Sequence, residues 1–405
     1  MTDYRGRYFS RVYNSRWFLL VALLLIYRPY YFYQISFTAS LWDVGRVFLA
    51  AFLVISYIAR GRYSKLLLFE LAIWGWHNVY SLYLDAWSFN AFIELCLIVM
   101  ITILVELSER NIAKFIDSLR ILLAIYLTAN IVTILLGFDE KNLFLGFDND
   151  TIMTLLPMVG VMTWGTLYVQ GKLKKIDYYI YILLFINFFM TMAATAIVSL
   201  LIYIFVLLLM RKNWGISVRG GQKEGITKLF TSGKGIMISI IIWIAIFFFQ
   251  IQKLFAPLIV YLLHKDLTLT ARTLIWERVL STIRQHPLLG YGYYNNNAEY
   301  LLNFRYRASC PHNIMLHFVV SGGILGLIAV IMLYNYAFRN VNKRCDIFPN
   351  YVLLAASFAF LICGMTSSFY PMESMFLMLA VANISLHIEC LNKDKLILLG
   401  MEKKE

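Results

Sequence analysis

Charge is scarce in this chain: 15% of its 405 residues are Asp, Glu, Lys or Arg, against 60% hydrophobic residues and a mean hydropathy of +0.69. A soluble globular domain carries about 25% charged and about 45–50% apolar residues. A water-soluble enzyme or nucleic-acid-binding protein is thereby excluded, and the chain reads as an all-α polytopic membrane protein. Acidic residues are the scarcer sign, 23 against 36 basic ones, for a formal charge of +13. Cysteine is sparse as well, and Cys96, Cys310, Cys345, Cys363 and Cys390 show no CxxC spacing, so neither a disulfide framework nor a zinc site is suggested. No small-residue cleavage site follows the first apolar run, which Arg28-Pro29 interrupts, so it is read as a retained span and not a signal peptide. The glycines of 211–234 form no GxxxxGK phosphate loop, and that basic segment is read as a flexible linker beside lipid headgroups.

A membrane span needs about 20 mostly apolar residues. Windows of that size give about 12 transmembrane helices, at 17–37, 42–59, 65–84, 90–107, 119–137, 151–169, 176–191, 193–210, 235–252, 313–336, 350–369 and 372–388. The run 176–210 is too long for one span and is divided near Met192-Ala193-Ala194-Thr195, where small and polar residues gather. With a cytoplasmic N-terminus, 26 of the 36 Lys and Arg fall in inner segments and every short loop obeys the positive-inside rule. The positive charge is thus mostly topology and no nucleic-acid partner is expected. Both termini are expected in the cytoplasm. Three parts follow: an N-terminal transmembrane bundle of about nine spans (1–252), a long outer loop (253–312), and about three C-terminal spans with a cytoplasmic tail (313–405).

The long outer loop breaks the charge rule. It holds Lys253, Lys265, Arg272, Arg278, Arg284, Arg305 and Arg307 against Asp266, Glu277 and Glu299, with His264, His286 and His312 besides. Clustered arginines supply forked donors suited to phosphate oxygens, which points to an anion site. The bland reading is a set of solvated side chains, since long loops translocate largely regardless of charge. From Ala271 to Gln285 the spacing puts Ile275, Trp276, Val279, Leu280 and Ile283 on one stripe, the pattern of an amphipathic helix lying at the bilayer surface. Pro287 ends it, and Gly290-Tyr291-Gly292 makes a turn. Then Pro311-His312-Asn313 opens a span in which Ser321-Gly322-Gly323 and Gly326 allow close helix packing. His312 is a candidate general base, because imidazole titrates near neutral pH; a capping or interfacial histidine is the alternative. Asn313 is a candidate for orienting that ring or binding a sugar hydroxyl, and Tyr291 and its loop neighbours for stacking on sugar rings.

In this order, Arg272, Trp276, His286-Pro287-Leu288-Leu289-Gly290-Tyr291-Gly292, Pro311-His312-Asn313 and Gly322-Gly323-Ile324-Leu325-Gly326 resemble the C-terminal signature of the O-antigen polymerase (Wzy) and O-antigen ligase superfamily. A looser similarity is Leu145-Gly146-Phe147-Asp148-Asn149, which looks like the family's glycine-asparagine turn and brings Asn149 among the substrate-binding candidates. The resemblance implies a GT-C-like bundle acting on undecaprenyl-diphosphate-linked oligosaccharides at the outer face of the bacterial cytoplasmic membrane. It puts Arg272 on the diphosphate and His312 at the acceptor hydroxyl. Many relatives carry a further Arg in a Ser-Arg pair where this chain reads Thr191 to Thr195, so the second phosphate ligand is expected from Arg278, Arg284 or Arg46. Arginines meet the leaving group's developing charge, and neither a metal nor another cofactor is expected.

The polymerase, which extends one lipid-linked repeat unit with another, is the leading expectation, with a chain-length regulator and a flippase as its partner proteins. The ligase is the sister alternative. A lipid-linked-sugar flippase is the rival of another class. Against it stand the lack of an evident internal repeat and the few charges within spans, Glu70 and Glu94 being the clearest.

Overall fold

A computed structural model describes residues 12–138, 143–146, 149–191, 194–217, 231–249, 272–293, 311–343, 348–365 and 373–398. These form fourteen α-helices: α1 (Arg16–Ile26), α2 (Tyr30–Gln34), α3 (Ser36–Arg60), α4 (Lys65–Tyr83), α5 (Phe89–Leu107), α6 (Ile112–Leu135), α7 (Asn149–Gln170), α8 (Lys175–Met190), α9 (Ala194–Ser217), α10 (Ser232–Phe249), α11 (Arg272–Ile283), α12 (Ile314–Lys343), α13 (Phe348–Gly364) and α14 (Glu373–Leu398). In hydrocarbon a backbone group has no water to turn to, so a helix that satisfies its own ladder is the economical answer to so apolar a sequence. The protein is a multi-pass membrane protein. Within the described residues, five stretches are long and apolar enough to cross a bilayer: Ser36–Arg60, Phe89–Leu107, Glu109–Leu135, Ser232–Phe249 and Ile314–Lys343. Shorter apolar helices such as α1 and α13 fall below that length.

The expected first span, 17–37, is not one helix. Proline has no N–H to continue the ladder, and the chain breaks at Tyr27-Arg28-Pro29 before α2. The carbonyls freed at the end of α1 are taken up from α3. Arg46 donates from Nε to Leu25 O and from Nη2 to Ile26 O, both at 2.9 Å, and Trp42 Nε1 reaches Leu25 O at 3.0 Å. Asp43 pairs with Arg28 at 3.1 Å and with Arg46 at 3.6 Å. The division expected within 176–210 does occur, α8 ending at Met190 and α9 starting at Ala194.

Helix α13 lies against α7 and α9, and α14 against α5, α7 and α12, so the C-terminal helices form the middle of the bundle. Polar side chains fasten the crossings. Asn130 Nδ2 donates to Asn187 Oδ1 at 2.8 Å, and Asn187 in turn donates to the Leu127 and Leu183 carbonyls. Near the start of α8, Arg120 of α6 is 4% exposed and donates from Nε to fully buried Asp177 at 2.6 Å and from Nη2 to Thr166 Oγ1 of α7 at 2.7 Å. It also pairs with Asp117, which Lys174 approaches at 3.1 Å.

Removing one member of a buried ion pair costs about 3–5 kcal/mol, because the other charge stays behind. Arg120→Leu should therefore lower the unfolding midpoint of the detergent-purified protein strongly, while Arg120→Leu combined with Asp177→Leu should recover part of that loss. Thermal unfolding of the three proteins checks this, and a double variant no more stable than the single one would contradict it.

Candidate functional site

Helix α11 is amphipathic, as its sequence spacing indicates, but its apolar stripe is spent on protein. Ile275, Trp276 and Val279 pack with Leu316 and Val320 of α12, with Trp243, Ile246 and Phe247 of α10 alongside. Trp276 is 0% exposed, and its ring lies 6.1 Å from Trp243 and 6.0 Å from Phe247. A stripe expected at the bilayer surface is buried because α10 and α12 offer it a partner. An indole N–H in such surroundings needs an acceptor, and Trp276 Nε1 finds Pro311 O at 3.1 Å.

That bond fixes the segment that follows. Asn313 is fully buried; its Oδ1 accepts from Leu316 N and its Nδ2 donates to Met365 O, each at 3.0 Å. It caps α12 and ties it to the end of α13. Between the two anchors His312 is half-buried with φ 49°, in the left-handed region that few residues other than glycine adopt. Such strain persists only where the surroundings hold it; here Pro311 and Asn313 do so from either side. Arg272, the first residue of α11, is half-buried and lies close enough to Cys363 near the end of α13 to act on it electrostatically. Arg272 and His312 therefore stand at the same end of the bundle, around the end of α13.

The other half of the expected signature builds a backbone interlock. Helix α12 is broken at Gly323, whose φ 65° and ψ −169° lie outside any helix. The groups this break frees are paired with the turn after α11. Tyr291 N donates to Val320 O at 2.8 Å and Gly292 N to Ser321 O at 2.9 Å, while Ile324 N donates to Pro287 O at 2.9 Å and Leu325 N to Leu288 O at 3.3 Å. A Cβ on Gly323 would sit 2.1 Å from Leu288 O, and one on Gly290 2.5 Å from Val320 O. Gly323, expected to let helices pack closely, instead admits a loop into a helix. Tyr291 Oη donates to Thr282 O at 2.9 Å, closing the turn onto α11, and burial raises its phenol above the ordinary range, so it stays a donor. His286 sits edge-on to it, ring centres 4.7 Å apart. Tyr293 N reaches Ser81 Oγ of α4 at 2.6 Å.

The remaining candidates are scattered. Arg278 is exposed on α11, and Arg284 is exposed in the turn just after it. Arg46 is buried and holds the α1 break described above. Asn149 opens α7, and Arg305 and Arg307 lie outside the described residues. Absent from the sequence-based candidates are His77 of α4 and His317 of α12, which with Glu94 and Tyr293 line a cavity of about 410 Å³ between the two helices. The signal was present, since an ionisable residue inside an apolar run marks function by default. Among the described residues no three His, Cys, Asp or Glu side chains gather as metal ligands.

The break at Gly323, the interlocked turn and the Pro311–Asn313 cap all fall within one stretch of sequence that matches a known family model, described as O-antigen ligase (Wzy_C), over residues 179–331. Residues 179–331 are thus similar to that family over rather more than a third of the chain. A 64-residue stretch is similar, at 41% identity, to a Pseudomonas aeruginosa (strain PAO1) protein named O-antigen ligase, covering 16% of this chain and 16% of that one. Members of the Wzy_C family are membrane enzymes that transfer lipid-linked glycan chains.

If the interlock holds this region together, Gly323→Ala should be far more damaging than Gly322→Ala, whose Cβ meets nothing within 4 Å. A residue forced into glycine-only backbone space costs about 1–3 kcal/mol before any clash is counted. Yield of monodisperse protein and its melting point distinguish the two; equal behaviour would mean that the break relaxes.

Proposed function

We propose that this protein transfers a glycan chain from undecaprenyl diphosphate to a sugar hydroxyl at the outer face of the bacterial cytoplasmic membrane. The observation that carries the reading is the Trp276–Pro311 bond, which joins the helix headed by Arg272 to the strained turn bearing His312. One residue suits the donor and the other the acceptor. The guanidinium of Arg272 meets the charge that develops on the diphosphate as the glycosidic bond breaks, with exposed Arg278 on the same helix and exposed Arg284 just past its end adding positive field. The imidazole of His312 accepts the proton that the acceptor hydroxyl must lose. Asn313, both of whose amide atoms are engaged, positions the histidine. The positive-inside count supports about twelve spans, cytoplasmic termini and a catalytic outer loop at 253–312 between the N-terminal bundle (1–252) and the C-terminal helices (313–405).

The acceptor we assign is a second lipid-linked repeat unit, which makes the protein a polysaccharide polymerase working beside a flippase and a chain-length regulator. The name of the Pseudomonas aeruginosa relative favours a second reading, ligation onto a lipid A core. Purified lipid-linked repeat units separate the two: a ladder of products from that substrate alone supports the polymerase, and transfer that begins only when lipid A core is added supports the ligase.

Two substitutions test the chemistry. An ammonium cannot copy the paired contacts of a guanidinium, so Arg272→Lys should lose most of the activity while inserting normally; full activity would return Arg272 to a solvated role. General-base help is worth about 10²–10⁴-fold in rate. His312→Ala should fall by that order in chain transfer yet still bind donor, and His312→Gly, free of the backbone strain, should be at least as stable and equally inactive. Wild-type rates in either variant would refute the assignment of the base.

A further inference from the structure

We propose that the buried oxygens of Glu70 and Glu106, with the hydroxyls around them, form a site for one hard monovalent cation such as sodium between α3, α4 and α5. The site lies apart from Arg272 and His312 and does not depend on the transfer reading.

Glu70 stands out in the sequence as a charge inside an apolar run, and the chemistry proposed above gives it no task. An ionisable group in such a run marks function by default. It is 0% exposed. Its Oε1 accepts from Thr102 Oγ1 of α5 at 3.0 Å, while its Oε2 is buried with no hydrogen-bond partner among the described residues. One turn beyond Thr102, on the same face of α5, comes Glu106, which is 6% exposed. Tyr57 of α3 donates to its Oε2 at 2.5 Å, and its Oε1 is likewise buried without a partner among the described residues. The two carboxyl groups are close enough to act on each other electrostatically. Ser56 Oγ, beside Tyr57 on α3, is a third buried oxygen in the same condition, and Ser64 stands near Glu106 from the turn between α3 and α4. Phe69, next to Glu70, lies edge-on to Tyr336 of α12 with ring centres 5.1 Å apart, far along that helix from His312.

Charge decides what such a place holds. Two carboxylates taken out of water repel each other, and each keeps its desolvation cost unless it is paired. Arg60 is already engaged, donating from Nη1 to the Glu106 carbonyl at 2.6 Å and from Nη2 to Glu109 at 2.8 Å. Glu109 in turn meets His387 at 3.0 Å. Protons would discharge the acids, yet an O–H on Glu70 Oε2 finds no acceptor among the described residues, so that atom would stay unsatisfied. A cation satisfies both bare carboxylate oxygens at once. The side-chain ligands on offer are carboxylates and hydroxyls, which select a hard cation over one that prefers thiolate or imidazole. Two acids among neutral hydroxyls suit a single positive charge, since calcium collects about six to eight oxygens and magnesium keeps several of its waters.

The ion itself is the probe. Detergent-purified full-length protein held in choline chloride should bind one radioactive sodium ion per chain in equilibrium dialysis. Its unfolding midpoint should rise saturably as sodium replaces choline at constant ionic strength, because a ligand of the folded state alone stabilises that state. Glu70→Gln, which keeps the side chain's shape, should lose both the bound ion and the rise. Thr102→Val removes one neutral ligand and should weaken sodium binding about tenfold while keeping one site per chain; this readout remains even if the Glu70 variant does not fold. Protein that binds no sodium and melts alike in choline, sodium and potassium overturns the proposal. So does sodium binding that persists unchanged in Glu70→Gln and in Glu106→Gln. A midpoint that rises on acidification alone, with no cation bound, would show that protons hold the pair and would overturn it as well.

Discussion

The backbone exchange between the Pro287–Gly292 turn and the gap in α12 is the constraint on which the rest of this region depends. A helix that stops inside a bilayer leaves N–H and C=O groups that hydrocarbon cannot satisfy, each costing several kcal/mol. Here four such groups are met by four of the turn's own. Neither partner is satisfied alone: the turn would leave polar backbone groups unpaired, and the helix would have to close its gap. Their pairing sets where α11 ends relative to α12. From there Trp276 reaches the carbonyl of Pro311, and the histidine that follows is held in a backbone shape it would not choose. Polar precision at the candidate site is thus inherited from a glycine pair some distance away.

The same economy appears at the other broken helix. Pro29 interrupts α1 and α2, and there side chains, those of Arg46 and Trp42, and not a loop, answer the freed carbonyls. This is why an arginine that sequence reasoning offered to a phosphate is found committed to its own protein. A buried guanidinium with three backbone and carboxylate partners holds structure at a point where the sequence had promised a continuous span.

Much of the fold could be read from composition and period alone, because apolar runs in a membrane have few alternatives to helix. The division between α8 and α9, the extent of α11 and the turn at Gly290 to Gly292 all follow from local signals. What escaped is tertiary. Nothing in the pattern of α11 distinguishes a stripe laid on lipid from one buried against Trp243 and Leu316. Asn313 reads as a polar residue beside a histidine until its two amide atoms are seen to be engaged by α12 and α13. His77 and His317 are 240 residues apart in the chain, so no window holds both, and only the contact between α4 and α12 makes them neighbours.

A helix mended by a loop's main chain places unusual demands on inheritance. The four bonds use N–H and C=O alone, so the exchange depends on the chain's path and not on side-chain contacts of Pro287 and Leu288, both exposed. Insertion or deletion of a single residue at either edge of the exchange would break it. Descendants of such a protein should therefore diverge widely in the chemistry they display at this surface while retaining two glycine-marked anchor points, one just after a short amphipathic helix and one about a third of the way along the next span. A search that weights those anchors and ignores the residues between them would find relatives that overall identity conceals.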